Sequence, residues 1–592
     1  MHLLANQLIK NHYILILVLA LVCQSLNAQN VDYDLVIHQI DSDNSQSQKI
    51  IDRFVPFASD SISITNQLNN LVLDLHENGF ISASIDSVRY DFKNITAYLF
   101  VGTKYKIQNL EISSNDMLSD INKKPYSRRK KNIAYSIYEV NEVKKQIITN
   151  YENTGYPFAR IVTENILFND SIINIKLRAD KGTRVEIDSI YIKGDIRIKP
   201  HYIYRYIDIK PTDAFSQSKI DKIDNRIKNL SFLDQIKPAA LEFRERKADL
   251  YLYLKKKRAN QFNGIIGFLP ASDKSDKLVV TGDLSLGLVN SFGRGEEIGF
   301  RWEKLESSTQ KLDVNFHYPY MLGSPFGIDM NFNLYKQDSS FLNLSYMAGL
   351  RWYATTGNSL TAYYRYKSSS VIGEIANTNN LADISTSLFG VSFNYRGLDY
   401  LVNPRKGVDL HVFGGVGTKD VKKYFVTDDT LKTNKLENFT EIEAGLNFDG
   451  YFPVYGNFVF HFGNITRYTG QFNEKGNQAN FYENEMSRFG GARSLRGFDE
   501  NAFSASIYSL QNVELRYLFE QNSAFYLFWN GAYYYQPLPE KTTEDFPWGF
   551  GIGLNFDTRA GIFSISYAIG KQFDNPIEMR TAKIHFGYIS RF

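Results

Sequence analysis

An alternation of polar and apolar residues with a period of two runs from about residue 261 to the last residue, and it limits the fold more than any other feature. In FLNLSYMAGLRWYA, Leu342, Leu344, Tyr346, Ala348, Leu350 and Trp352 fall on one face, and Asn343, Ser345, Gly349 and Arg351 on the other. The pattern recurs in DVNFHYPYM, GIDMNFNLYK, TAYYRYK, FGVSFNYRG, EIEAGLNFDGYF and AKIHFGYISRF. A soluble sandwich also alternates, but with shorter strands. Here the runs often reach about ten residues, the length a tilted membrane strand needs, and aromatics crowd their ends as they do at a bilayer interface. Residues 261–592 hold enough chain for about sixteen antiparallel strands at about 20 residues per strand and loop. Closure into a transmembrane barrel follows, because an open edge in lipid leaves backbone groups unpaired at several kcal/mol each.

The preceding part, from Val31 to about Asn260, has a different pattern and repeats itself. A stretch with helical apolar spacing, Val140–Gly155, ends at glycine and is followed by two strand runs, YPFARIVTENILF and SIINIKLRADKG. LNNLVLDLHENG, ending at Gly79, is followed in the same way by FISASIDSVRYDF and NITAYLFVGTKYKI. A third unit keeps the order with FSQSKIDKIDNRIKNL and ADLYLYLKKK, but Ser231-Phe232 replaces the glycine-aromatic corner. The expected division is a leader at 1–28, modules at 29–103, 104–181 and 182–260, and a barrel at 261–592. The leader is read as a secretory signal peptide from Lys10, the apolar run Tyr13–Val22 and the small-residue site Leu26-Asn27-Ala28.

Cys23, the one cysteine, lies within that leader, so a chain cut after Ala28 would carry no thiol or disulfide. Leu21-Val22 before it make a poor lipidation site. A formal net charge of +3 argues against a nucleic-acid partner, and the basic run Ser127–Asn132 reads as a solvated loop. LHENG (Leu75–Gly79) lacks the second histidine of a zinc motif, and GGVGTKD (Gly414–Asp420), expected in a barrel loop, lacks phosphate-loop spacing. No enzyme activity, metal or other cofactor is implied.

The repeated α/β modules resemble POTRA domains, and their pairing with a barrel resembles the BamA/TamA superfamily of outer-membrane protein assembly factors. NSFGRGEEIGFRW (Asn290–Trp302) with FHYPYMLGSPFGIDMNF (Phe316–Phe332), LDYLVNPRKGVDL (Leu398–Leu410) and WGFGIGLNFDTRAGIFSISYAIGK (Trp548–Lys571) are similar to segments of its barrel, although Arg559-Ala560 stand where a proline-containing turn is common. In FGGARSLRGFDEN (Phe489–Asn501), Arg496-Gly497-Phe498 matches the superfamily's Arg-Gly-aromatic signature in the long sixth loop. The resemblance implies that this loop folds into the lumen and that the arginine meets an acidic residue on the wall. Gly490, Gly491 and Gly497 suit sharp turns and close approach, and Arg496 carries a planar donor fork suited to a carboxylate. By alternation the acidic candidates are Glu514 and Asp557, with Asp557 slightly preferred. In a wet lumen the pair is expected to hold geometry more than to add stability.

The first barrel strand (Phe262–Pro270) carries Gly264 and Gly267, which weaken strand packing, and must close against the last strand, TAKIHFGYISRF. Phe586, Gly587, Tyr588 and Phe592 resemble the sorting signal of outer-membrane barrels, from which Ser590 departs. The resemblance implies an assembly or insertion factor in the cell outer membrane, with its modules in the periplasm. Its seam would open sideways and template client strands by main-chain pairing. Its partners would be the lipid bilayer, unfolded outer-membrane protein clients, and periplasmic or inner-membrane assembly proteins. Three modules place it nearer the TamA-like branch. The rival readings are a two-partner-type secretion pore for a dedicated substrate and a passive porin-like channel.

Overall fold

The computed structural model describes the chain except residues 1–33, 42–44, 54–60, 92–93, 115–132, 135–136, 270–278, 305–308, 356, 373–379, 428–429, 474, 477–478, 480, 559–560 and 592. The leader with Cys23, the run Ser127–Asn132, Pro270, Arg559-Ala560 and Phe592 therefore lie outside the described residues. The chain divides into two compact units, residues 1–185 with 214–217, and residues 186–213 with 218–592.

The first unit holds two small sheets with helices. In one, Asp34–Gln39 runs parallel to Asn94–Phe100, which pairs antiparallel with Ser84–Asp91. The helix Ser61–Glu77 buries Ile64, Leu68, Leu71 and Leu75 against Ile95, Ala97 and Leu99. In the other, Lys106–Ser114 is parallel to Ile172–Asp180, with Arg160–Asn169 at one edge, and the helix Ile137–Glu152 contributes Val140, Ile147 and Tyr151 to the core. Both long helices stop the same way. Gly79 (φ 99°) and Gly155 (φ 105°) turn left-handed, and the next N–H, of Phe80 or Tyr156, returns to the carbonyl of Leu75 or Tyr151. That conformation favours glycine, which is why the Gly-aromatic corner repeats.

The second unit opens with a third sheet. Glu186–Lys193 is parallel to Lys247–Lys256, which pairs antiparallel with Leu233–Arg244. Here the helix Ile223–Lys228 ends at Asn229 with φ −81°, so no glycine is needed, and Phe232 alone fills the corner as a buried side chain.

The remainder is a barrel of antiparallel strands. They are β1 Gln261–Leu269, β2 Val279–Val289, β3 Glu297–Lys304, β4 Gln310–Tyr318, β5 Phe326–Gln337, β6 Phe341–Thr355, β7 Asn358–Val371 and β8 Asp383–Leu398, followed by β9 Gly407–Thr427, β10 Thr430–Tyr455, β11 Phe458–Phe472, β12 Ile507–Glu520, β13 Ser523–Pro537, β14 Trp548–Asp557, β15 Gly561–Lys571 and β16 Lys583–Arg591. A short strand, Thr542–Asp545, only extends β13 beyond the rim. The alternation now has a physical meaning. On β6, Tyr346, Leu350 and Trp352 are exposed on the outside, where lipid covers them, while Asn343 and Arg351 point inward to Ser369 and Asp329. Gly414–Asp420, expected in a loop, lies inside β9, where the glycines clear neighbouring side chains and backbone of adjacent strands.

Candidate functional site

The connection between β11 and β12, the sixth at the end of the barrel away from the third module, turns inward. Ser487–Phe489 and Phe503–Ala505 pair as a small hairpin, and the tip between them carries the Arg-Gly-Phe stretch. Gly490, Gly491 and Gly497 have φ of 122°, 94° and 96°. A Cβ on Gly497 would stand 2.7 Å from the backbone nitrogen of Gly570, so glycine is needed there for both conformation and space. Phe489, Leu495 and Phe503 bury themselves against Tyr508, Leu510 and Tyr534 of the wall. Phe498 packs edge-on to Phe503 and covers Gly570 of β15.

That packing delivers Arg496 to the wall, where it is 8% exposed. Its Nη2 donates to Glu514 Oε1 at 2.7 Å and to Asn512 Oδ1 at 2.6 Å, and its Nε donates to Asn530 Oδ1 at 2.7 Å. The guanidinium also lies 3.6 Å from the ring centroid of Phe528. The acid that meets Arg496 is thus Glu514, and the preference for Asp557 is corrected. Asp557 accepts a hydrogen bond from Asn522 at 2.7 Å near the opposite end of the barrel. Alternation fixes a side chain's face but not its height. Arg496 is level with Gly549, and Asp557 is eight residues further along β14, about 25 Å at strand rise. The expected wet environment is corrected too, since both partners' side chains are only 9% exposed. The loop covers the pair, and removing either partner would leave a buried charge, which costs about 3–5 kcal/mol.

A second anchor was not read from the sequence. Between β11 and the small hairpin, a single turn at Glu483–Glu485 sits against the other wall. Asn484, 1% exposed, donates to Ser369 Oγ (2.6 Å) and to the Ala382 carbonyl (2.7 Å), and its own carbonyl accepts from Asn343 Nδ2 (2.6 Å). Glu485 pairs with Lys419 of β9, which is fully buried and also donates to Gln471. The loop therefore crosses the lumen, held by β6–β9 on one side and by β12–β15 on the other. Asp499, just past Phe498, reaches Lys583 of β16 at 2.7 Å.

The seam is the other half of the site. β1 makes nine register pairs with β2, and β15 makes eight with β16, but among the described residues β1 and β16 share only Gln261↔Arg591 and Phe262↔Ser590. Gly264 lies beyond those pairs, and a Cβ there would approach Leu284 Cδ2 to 2.8 Å. Gly267 pairs with Thr281 of β2. On β16, Phe586 is 69% exposed, and Tyr588 packs at a tilt of 38° against Phe563 with centroids 4.5 Å apart.

The model of the Omp85 superfamily domain matches residues 290–592, and that of the POTRA surface antigen variable number repeat matches residues 185–257. A Treponema pallidum (strain Nichols) protein named outer membrane protein assembly factor is 22% identical over 408 residues, which is 63% of this chain and 45% of that protein, so the match spans less than half of the relative's length. CdiB from Escherichia coli superposes with a TM-score of 0.52 at 12% identity, over 92% of this chain and 97% of that one, a likeness of fold. BamA from Haemophilus ducreyi lacking POTRA domains 1-3 gives a TM-score of 0.43 at 15% identity, over 82% and 100%. With its barrel in the outer membrane and its POTRA modules in the periplasm, the chain belongs to the Omp85 superfamily.

Proposed function

We propose that this chain is an outer-membrane protein assembly factor of TamA-like plan, with three periplasmic modules at 29–103, 104–181 and 182–260. It accepts unfolded outer-membrane proteins and pairs their strands at the β1–β16 seam. The observation that carries this reading is the seam, where, among the described residues, β1 beyond Phe262 has no register partner on β16. Such an edge offers main-chain donors and acceptors to an incoming strand without reading its sequence. The loop crossing the lumen supports this route over export through the barrel, as do the contacts of Gly497 and Phe498 with Gly570 of β15 and of Asp499 with Lys583 of β16. Omp85-family assembly factors are not enzymes, and this reading requires no catalysis.

The test is disulfide trapping between cysteines placed in residues 264–268 and 584–588, scored for client assembly in the outer membrane. Assembly should stop when the seam is locked and resume on reduction. Normal assembly through a locked seam would sink this reading in favour of passage through the lumen, as a secretion pore or a channel would use.

A further inference from the structure

At the periplasmic end of β3 and β4, outside the lumen and away from the sixth loop, a groove of about 470 Å³ is lined by Arg197, Lys199, Phe292, Arg294, Glu296, Phe316 and Tyr318. It is built jointly by the third module and a barrel turn. The Lys199 N–H donates to the Gly293 carbonyl at 2.7 Å, and Asn290 Nδ2 donates to the Arg197 carbonyl at 3.0 Å. These bonds hold the strip 197–199 against the turn between β2 and β3.

The walls of the groove are of two kinds. Phe316 and Tyr318 lie on the lipid-facing side of β4, because Lys311 and Asp313, of opposite parity on the same strand, line the lumen. Phe292 continues that apolar side and is 64% exposed. The other wall is cationic. Arg197, Lys199 and Arg294 are exposed, and among the described residues none of the three has a carboxylate partner. Arg294 lies against the Tyr318 ring, its carbon 5.9 Å from the centroid and its Nη1 3.5 Å from the hydroxyl. Among the described residues, Glu296 is the one carboxylate lining the groove. It is 2% exposed, and its two oxygens are taken by the N–H groups of Phe292 and Arg294.

We propose that this groove binds the headgroup of an anionic phospholipid from the periplasmic leaflet, with its acyl chains lying along Phe292, Phe316 and Tyr318. Three exposed cations against one buried carboxylate, at the rim of a bilayer-facing aromatic surface, match a phosphodiester attached to hydrocarbon, and a free anion would leave the aromatic wall unused. The bound lipid bridges module and barrel beside β2, the neighbour of the seam strand. The assignment depends on the membrane placement of the barrel and not on the route taken by clients.

The test is native mass spectrometry of the purified full chain in a neutral detergent, titrated with short-chain phosphatidylglycerol, with phosphatidylcholine of the same chain length, and with inorganic phosphate. One phosphatidylglycerol should be retained in preference to phosphatidylcholine. The triple variant R197Q/K199Q/R294Q should bind it roughly 100-fold more weakly, and R294Q alone about fivefold, as about 1 kcal/mol per interfacial charge implies. K228Q, an exposed charge elsewhere on the third module, should change nothing. The single variant keeps the test open if the triple variant fails to fold, which gel mobility of the unheated barrel reports. Equal binding of the two lipids, unchanged binding by R294Q and the triple variant, an equal loss in K228Q, or displacement by inorganic phosphate at matching concentration would each overturn the proposal.

Discussion

Arg496 and Glu514 meet where the loop buries both side chains, and their energetics follow from that. Changing Glu514 to Gln leaves a buried guanidinium with neutral partners only, and we expect a loss of about 3 kcal/mol in denaturant unfolding of the micelle-held protein. Asp557→Asn, at a partly exposed hydrogen bond, should cost less than about 1 kcal/mol. Gly497→Ala should expel the tip altogether, since both its φ of 96° and the space beside Gly570 reject a Cβ. Trypsin should then cut after Arg496, a bond that burial should protect in the native protein. In the first module, burial raises the carboxyl of Asp41, but hydrogen bonds from the N–H groups of Gly102 and Val101 outweigh it and hold the group below its ordinary value. A lowered folded value means stability that is present above the unfolded carboxylate value of about 3.9 and is lost as pH falls through the folded one. Asp41→Asn should therefore weaken protection of the Gly102 amide by about 1 kcal/mol at pH 7, and the difference from the native chain should vanish in acid below that range. At this scale the sequence displayed the residue types and their faces. It did not display Asn512, Asn530 or Phe528 as partners, because nothing local marks which inward side chain stands at the height the loop reaches.

Among the elements, strand type was the most legible and strand partnership the least. Alternation identified β6 and its neighbours, and the glycine corners identified the ends of the two long helices. Weak closure of β1 on β16 was expected from Gly264 and Gly267, yet the pairing itself stops after Phe262, a matter of where two distant strands meet. Amides of β16 between Lys583 and Ile589 that face β1 should exchange at least about tenfold faster than those of β15 that face β14, because among the described residues they have no ladder partner to break. The lumen-crossing segment supplies a separate expectation. Asn484→Ala removes the side chain's bonds to Ser369 and to the N–H and carbonyl of Ala382 without adding charge, and Lys419→Met strands Glu485. Both should raise the open fraction of single channels in planar bilayers by tenfold or more, as a net loss above about 1.4 kcal/mol requires. Unchanged conductance would mean that the Arg496 side of the loop alone seals the lumen.

In the whole molecule, a chain with no more than local patterns at its disposal specified a barrel of the right size, α/β sheets before it, and a glycine-rich loop turned into the lumen. Those follow from rules that act over a few residues: a side-chain period of two, backbone groups that lipid cannot satisfy, and a left-handed corner that favours glycine. The tertiary structure alone decided that Arg496 pairs with Glu514 and not with Asp557, that Lys419 and Asn484 hold the loop's other end, that β1 and β16 meet over two pairs, and that Arg197 and Lys199 come to lie beside Phe292. Each of these joins segments far apart in the chain, and the energy of such a meeting depends on register, height and the exclusion of water, which exist only once the barrel has closed.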